Sequence, residues 1–236
     1  MQLSAGRSRY QGLLVKADRR LSRGIQFGIA YALSSSVVLD EIRNNDNWFE
    51  SFGPTAGDRR HTLTVSGIVD LPCGFRLSHL STFVSKSPFR AQLFGIDLNG
   101  DGTINDVLPG TKWNELNRGV NEADLRRLVA DYNSTLAGNR TPTGQVIPKV
   151  TLPTDFDFGD SAFSMDIRLG RVFRLRERYE LNIFGEVFNV LNVANLTGYG
   201  TNLLEPSAFG QPSSRATQVF GSGGPRAFQL GARVSF

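Results

Sequence analysis

A stretch of oxygen-bearing side chains, Asp97–Asp106, offers the clearest chemistry in this sequence. Oxygen ligands stand at its first, third, fifth and ninth positions, a glycine permits a sharp turn at the sixth, and a backbone carbonyl is available at the seventh. In chain order these residues are Asp97, Asn99, Asp101, Gly102, Thr103 and Asn105. Hard oxygen ligands in this order open a calcium-binding loop. The twelfth position holds Leu108 instead of a bidentate glutamate, so the spacing predicts weak Ca²⁺ binding, with an Asx-type turn as the alternative.

A second polar group, Asp58–His61, could form a proton relay or an anion site, but its place before a strand favours a cluster of ion pairs. His61 and His79 are the two histidines of the chain, and neither has an ordered set of partner residues, so no zinc or hydrolytic site is predicted. Ser164 and Asp166 have no histidine near them in sequence, so a catalytic triad is not supported. We therefore expect that the protein is not an enzyme.

The elements that would hold these residues are β-strands. In the terminal stretch Phe228–Phe236, apolar residues alternate with polar residues or glycine, and a period of two places the two sets on opposite faces of a strand. Similar alternation predicts further strands at about 10–20, Ile25–Leu33, His61–Leu71, Phe75–Val84, Ser161–Arg174 and Tyr179–Val187. The chain therefore contains about seven predicted strands.

The predicted connections alternate between short turns and long loops. Short turns are expected at Leu21–Gly24, Pro72–Gly74 and Leu175–Arg178, and long loops at about 34–60, 85–160 and 192–224. Within the longest loop, Asn121–Tyr132 is typical of a helix, with Asn121 as its cap and an apolar stripe on one side. We expect this helix to fold the loop onto itself.

Composition and charge limit the class of protein. Hydrophobic residues make up 40% of the chain, and there is no run of ~18 apolar residues that could form a membrane-spanning helix. The net charge of +4 comes from scattered lysines and arginines, so no nucleic-acid binding is predicted. Strands with one apolar and one polar face suit the wall of an outer-membrane barrel, which has lipid outside and water within.

We therefore predict an all-β fold, namely an antiparallel, up-and-down transmembrane β-barrel segment of about seven strands with short periplasmic turns and long extracellular loops. Barrels made from one bacterial chain use an even number of strands, from about eight upwards, so this segment is expected to be an incomplete barrel. The first residues, Met1–Arg9, lack the apolar region of a secretory signal. We expect the chain to be the C-terminal part of a longer protein, or the product of a truncated reading frame.

Five motifs occur in a fixed order along the chain. They are Asp58–His61 before a strand, Leu71–Gly74 at a turn, Asp97–Gly102 in a loop, Phe184–Asn192 after a strand, and Gly224–Arg226 before a final strand that ends in Phe236. This ordered set resembles the C-terminal barrel region of TonB-dependent outer-membrane receptors, in particular the Oar-like branch. That family often continues with Arg and Pro after the aspartate at Asp106, whereas this chain has Val107 and Leu108, so a contact made by that Arg would be absent.

The resemblance implies a fold, a role and a set of partners. Receptors of this family have a barrel of about 22 strands around an N-terminal plug, and TonB supplies energy from the inner membrane. Residues 1–236 would form the C-terminal portion of that barrel without the plug. The expected role is movement of a bulky solute across the bacterial outer membrane. The expected partners are outer-membrane lipid, the rest of the barrel and plug, the TonB system indirectly, and the outer-membrane assembly machinery, with no cofactor beyond Ca²⁺ at Asp97–Asp106.

Two further sets of residues follow from the strand faces. Polar residues on the inner face are predicted to line the lumen: Asp166, Arg168, Glu180, Asn182, Glu186, Gln229 and Arg233. Apolar residues of the last strand are predicted to act as the assembly signal: Phe228, Leu230, Val234 and Phe236. Arg171 falls on the apolar face near a short turn, where its charge could reach the lipid headgroups.

Two other functions remain open from the sequence. One is a passive, porin-like channel, which would have the same wall but no plug. The other is a soluble all-β, calcium-dependent binding module. The second requires the apolar residues of Ile25–Leu33 and Phe228–Phe236 to be buried together in a dry core.

Overall fold

Seven long strands form most of the regular structure in the computed structural model, which describes residues 6–39, 42–175, 179–215 and 223–236. They are β1 (Arg7–Ser22), β2 (Ile25–Leu39), β3 (His61–Asp70), β4 (Phe75–Val84), β5 (Ala162–Leu175), β6 (Tyr179–Phe188) and β7 (Ala227–Ser235). Helix α1 spans Glu122–Thr135, and two 3₁₀ helices cover Trp48–Ser51 and Pro72–Gly74. Two-residue strands lie at Gly53–Pro54, Gln92–Leu93, Asp106–Val107, Leu196–Thr197 and Ser214–Arg215.

Each long strand pairs antiparallel with the next one along the chain, so the order in the sheet is β1-β2-β3-β4-β5-β6-β7. Gly53–Pro54 adds a short eighth strand beside β2. Within the described residues β1 and β7 are the two edges of the sheet and do not pair with each other. The predicted up-and-down segment that does not close is therefore confirmed.

The first hairpin is longer than predicted. Residues 7–12 of β1 pair with residues 34–39 of β2, and Val37 and Val38 also pair with Pro54 and Gly53. The predicted end of β2 at Leu33 was therefore wrong. Three consecutive serines read as a loop, but backbone pairing with β1 does not depend on side-chain polarity. Residues 176–178 of the predicted turn Leu175–Arg178 lie outside the described residues.

The pairing register places all the apolar files on one face. Directly opposed residues share a face, and Ile29 lies opposite Val65 while Ile183 lies opposite Ala232. This apolar face is open: Ile25 is 41% exposed and Leu230 on the edge strand is 88% exposed. The apolar residues of Ile25–Leu33 and Phe228–Phe236 are not buried together, which counts against the soluble module.

Some polar side chains also lie on the apolar face, and neighbouring residues accommodate His79 and Arg171 there. His79 is opposite Ile167, and its Nε2 lies 2.8 Å from the Ser81 hydroxyl. Arg171 is opposite Phe75, with its guanidinium 5.1 Å from the Phe75 ring centroid and 4.7 Å from that of Phe173. An arginine held by two aromatic rings next to a short turn fits the headgroup level of a membrane.

An aromatic ring on the polar face explains one glycine of the sheet, Gly231. Phe184 of β6 lies opposite Gly170 of β5 and Gly231 of β7, and the Arg168 guanidinium lies 3.7 Å from its ring centroid. A Cβ at Gly231 would collide with the Phe184 ring. Glycine therefore gives the ring space on a face that is otherwise mainly polar, and the ring in turn covers glycine backbone.

The dry core of the protein lies in its loops. We call the described loop residues 42–60, 85–161 and 189–215 the cap. In the described residues, the cluster of buried apolar side chains lies entirely within the cap, between Phe89 and Phe209. It includes Leu93, Leu108 and Leu203. Within the part of the chain that the structure describes, the two faces of the sheet supply none of this cluster. The cap therefore packs as a small unit at the long-loop end of the strands.

Helix α1 is one wall of this core. Asn121 caps it, since its side chain accepts from the Asp124 N–H and Asp124 accepts from the Asn121 N–H, which completes a capping box. Leu125, Val129 and Tyr132 are buried against the cluster. The prediction that this helix folds the loop onto itself is confirmed. No helix in the described ranges has the length and apolar character needed to cross a membrane.

Leu125→Ala is expected to loosen the cap without opening the sheet. The side chain is fully buried, and such truncations cost about 2–5 kcal/mol through lost burial and the cavity left behind. Limited proteolysis of the protein in detergent should show faster cleavage within residues 85–160. Leu191→Ala is the matched control, because Leu191 is 58% exposed. Equal cleavage rates for the two variants would contradict the assignment of the core to the cap.

Candidate functional site

A buried carboxylate joins the cap to the sheet. Asp58 is 2% exposed; its Oδ1 accepts from the Ser36 N–H at 2.7 Å, and its Oδ2 accepts from Arg60 Nε at 3.2 Å and from Arg118 Nε at 2.7 Å. The predicted ion-pair cluster around Asp58 therefore exists, but its main cation is Arg118, 60 residues further along the chain. Nothing in the sequence around Arg118 signals this pairing.

The Arg118 guanidinium is held on all sides. Its side chain is 6% exposed, and it also donates to the carbonyls of Asn117, Lys86 and Asp58. Arg59, next to Asp58, donates to the Ser85 carbonyl at 2.8 Å. Burial, together with repulsion from Arg118, lowers the pKa of Arg59. The cluster carries more positive charge than Asp58 alone can balance.

His61 is not part of this cluster. Its Nδ1 lies 2.8 Å from the Tyr31 hydroxyl, and its backbone N–H donates to the Ser85 hydroxyl oxygen. It shares the apolar face with Tyr31 and Leu33, at the loop-side end of the strands. An aromatic residue paired with histidine at this level suits the interface between lipid and water.

The predicted calcium loop forms a network of turns. Asp97 is buried, and its carboxylate accepts from the N–H groups of Gly100 at 2.7 Å and Gly102 at 3.0 Å. The Asp101 carboxylate accepts from the N–H groups of Thr103 and Asn45, both at 2.7 Å. These are the contacts of the Asx-type alternative. The described residues contain no group of three His, Cys, Asp or Glu side chains arranged to hold a metal.

The other predicted ligands bind parts of the cap. The Thr103 hydroxyl lies 2.8 Å from the Arg43 carbonyl, and Asn105 Oδ1 accepts from the Gly95 N–H. The Asn99 side chain lies 3.2 Å from Asp101 Oδ2. Burial would raise the pKa of Asp101, but hydrogen bonds from Thr103, Asn45 and Asn99 outweigh it and lower that pKa. The carboxylate is therefore kept charged, and calcium binding here stays a prediction.

At the end of this loop, the pKa of Asp106 is shifted in the opposite direction, upwards. The largest cause of this rise in the pKa of Asp106 is burial, and repulsion from Asp101, Asp97 and Glu50 adds to it. The Leu98 N–H, which donates to Oδ2 at 2.7 Å, acts against the rise. Asp106 lies at a cavity of about 240 Å³ between residues 43–51 and 98–113. Trp113 also lines this cavity, and the guanidinium of Arg43 lies 3.7 Å from its ring centroid. Sequence reasoning missed Trp113, since no local pattern marks it.

The seven predicted lumen residues share the polar face. Arg168 Nη1 lies 3.2 Å from Glu186 Oε1, and Gln229 is opposite Glu186, so these three form a row across β5, β6 and β7. A second row joins Asn182 and Arg233, and Glu180 pairs with Arg174 at 3.3 Å. The polar face therefore carries ion pairs such as Arg168–Glu186 and Arg174–Glu180, which suit a wetted lumen, and contact with a solute stays a prediction.

Asp166 has a structural use in addition. Its Oδ1 accepts from the Ser164 hydroxyl at 3.0 Å and from the Asn189 N–H at 2.9 Å. Asn189 is fully buried, has φ 48°, and its side chain bonds the backbone of Val193 and the Gly224 carbonyl. The motif Phe184–Asn192 therefore forms the turn at the end of β6. Through Asn189 it is hydrogen-bonded to Asp166 of β5 and to Gly224, which precedes β7.

The predicted assembly signal is the most exposed part of the apolar face. Phe228, Leu230 and Val234 share that face on the edge strand β7, and Phe236 beyond it is 98% exposed. Whether the assembly machinery reads these residues stays a prediction.

The sheet, its open apolar face and its loop cap define an outer-membrane wall, and residues 1–229 match the family described as outer membrane beta barrel domain. The chain belongs to that family, which places it in the bacterial outer membrane. Neither the curated proteins nor the solved structures contain a match to this chain.

Asp58→Asn is expected to destabilise the cap by about 3–5 kcal/mol, because Arg118 would keep its burial and lose its counter-charge. Asp70→Asn is the matched control: Asp70 pairs with Arg76 at 2.7 Å, but the Arg76 and Asp70 side chains are 54% and 38% exposed, so the change should be about 0–1 kcal/mol. The stability of the cap in both variants is measured by urea denaturation, with protease sensitivity as the readout of unfolding. If the two variants were equally stable, Asp58 would not be the anchor.

Calcium binding to the Asp97–Asp106 loop is testable by isothermal titration calorimetry. A loop without the bidentate glutamate should bind with Kd of about 10⁻⁴–10⁻³ M, in the range of extracellular modules. Asp101→Asn should abolish the binding, whereas Asp131→Asn on the exposed side of α1 should leave it unchanged. Absence of saturable heat at millimolar Ca²⁺, or equal binding to both variants, would leave only the Asx-type turn.

Proposed function

We propose that this chain forms the C-terminal wall and part of the outer loops of a TonB-dependent receptor, which moves a bulky solute across the outer membrane. The observation that carries the proposal is an open seven-stranded sheet whose apolar face is uncovered and whose long loops pack into a cored cap at one end. Five motifs in the order of that receptor family support it. We propose a transport role and no catalysis.

The two bare edges of the sheet support a larger barrel. The backbone groups along the outer sides of β1 and β7 have no partner strand in the described part of the chain. In lipid such groups must be paired, since each unsatisfied one costs several kcal/mol. Further strands that complete the wall, and a lumen wide enough for a plug, are consistent with the receptor.

Each face then has a role in the proposed transporter. The apolar face contacts lipid, and the polar face with the Arg168–Glu186 pair contacts water and the plug. The cap stands at the long-loop side, which is the extracellular side in barrels of this kind. Because the cap has its own core and its Asp58 anchor, it can present a defined surface to a solute.

A passive porin-like channel is the rival function. It would use the same wall, so the sheet alone does not distinguish the two. The coding sequence upstream of Met1 does: a plug domain and a TonB box in the same frame would support the receptor. Upstream sequence that encodes only further strands would overturn it. A second test is uptake, which should stop on loss of TonB in the receptor and continue in the channel.

Deletion of Phe236 in the full-length protein is expected to lower the amount inserted in the outer membrane several-fold. The reason is that the exposed aromatic end of β7 is the proposed signal for assembly. Phe49→Ala is the matched control, since Phe49 is an aromatic of the cap with 66% exposure. Membrane fractionation and heat-modifiable migration in gels measure insertion. Unchanged membrane levels of the deletion variant would count against the signal.

A further inference from the structure

A pocket of about 220 Å³ lies where the three long loops meet. Its lining comes from residues 56–59, 87–90, 158–160 and 196–201, which lie in the connections from β2 to β3, from β4 to β5 and from β6 to β7. The pocket therefore belongs to the cap and draws on all three long loops. No motif of the sequence marks this pocket, because its walls are far apart along the chain.

Arg59 contributes positive charge to this pocket. Its guanidinium donates to the Ser85 carbonyl, and no carboxylate among the described residues pairs with it. The neighbouring carboxylate, Asp58, is already shared by Arg60 and Arg118. Lys86 is paired with Asp157 at 2.7 Å. The local balance therefore leaves Arg59 as a half-buried cation with unused donors.

The rest of the lining suits a small organic molecule. Phe89 and Phe158 form an aromatic wall, with ring centroids 5.4 Å apart. Tyr199 is bonded to Asp160, and burial together with this neighbour raises the pKa of Tyr199 to about 12, so the phenol keeps its proton at physiological pH. Asp160 is the one carboxylate among the lining residues that the structure describes.

We propose that this three-loop pocket binds the carboxylate group of a small organic acid, or of a larger solute that carries one, through the guanidinium of Arg59. Its biological meaning rests on the proposed transport function, for which it names a class of solute.

Carboxylate fits the pocket better than phosphate. The planar fork of arginine matches the two oxygens of a carboxylate, and the aromatic wall covers the apolar body of an organic acid. A phosphate dianion would bring twice the charge towards Asp160, which opposes it by like-charge repulsion. The pocket is therefore suited to one negative charge on an apolar or ring-shaped body.

Isothermal titration of the full-length protein in detergent micelles tests the proposal. Acetate, succinate and benzoate are each compared with their neutral amides, and inorganic phosphate forms a further arm. We expect the carboxylates to bind and the amides not to bind. Arg59→Gln should weaken carboxylate binding by about tenfold or more, since a hydrogen bond to a charged group is lost. Arg59→Lys should keep part of the affinity.

Asp160→Asn should change the affinity in the opposite direction. It removes the carboxylate that repels the ligand and keeps an acceptor for Tyr199, so binding should tighten several-fold. A general loss of folding cannot produce tighter binding. Arg140→Gln is the control for loss of a cap arginine, because Arg140 does not line the pocket and donates to the Gly144 carbonyl.

Three results would overturn the carboxylate site: no saturable binding of any carboxylate, equal binding of amides, or tighter binding of phosphate than of every carboxylate. If the Arg59→Gln variant does not fold, the Asp160→Asn variant decides. Carboxylate binding to Asp160→Asn that is equal to or weaker than binding to the unmodified protein would also overturn the site. Carboxylate binding is measured by calorimetry without TonB, and uptake is measured separately in cells. If no carboxylate binds but uptake still depends on TonB, the proposed carboxylate site is wrong and the proposed receptor function stands. If carboxylates bind but uptake does not depend on TonB, the carboxylate site stands and the proposed receptor function is wrong.

Discussion

An apolar face that the protein's own atoms do not cover is the constraint on which the rest of the structure depends. Strand periodicity places most apolar residues of the seven strands on that face, and the pairing register keeps these rows of residues in phase. At ~25 cal/mol per Å² of exposed apolar surface, leaving such a sheet in water would be strongly unfavourable. Lipid removes that penalty, and it also requires every backbone group of the wall to be paired.

This constraint moves the dry core away from the sheet. One face is committed to lipid and the other carries hydrogen-bonded charge such as Arg168 and Glu186. The apolar side chains that can be buried are therefore those of the loops, and they cluster around α1, Leu108 and Phe209. The Asp58–Arg118 pair then holds the core-bearing cap over the strand ends. In this protein the long loops together form a small folded unit.

Sequence reasoning succeeded where the signal is local. The bounds of β4 were predicted as observed, and the capping box of α1 at Asn121 and Asp124 follows from residues three apart. The predicted C-terminal end of β2 was wrong. Its run of serines has no apolar alternation, although the backbone there pairs with β1 and Pro54. For the Asp97–Asp106 loop sequence reasoning offered two alternatives, and the observed contacts within the loop are those of the Asx-type turn.

By itself the sequence determined which residues face lipid and which face water, since an alternation of period two is a property of each strand alone. It also determined that long and short connections alternate, and hence an up-and-down sheet. Only the tertiary structure decided the partners of Asp58, the aromatic cover over Gly231, and the meeting of three loops around Arg59. These contacts join residues tens of positions apart, and pairing across such distances depends on how the whole cap packs.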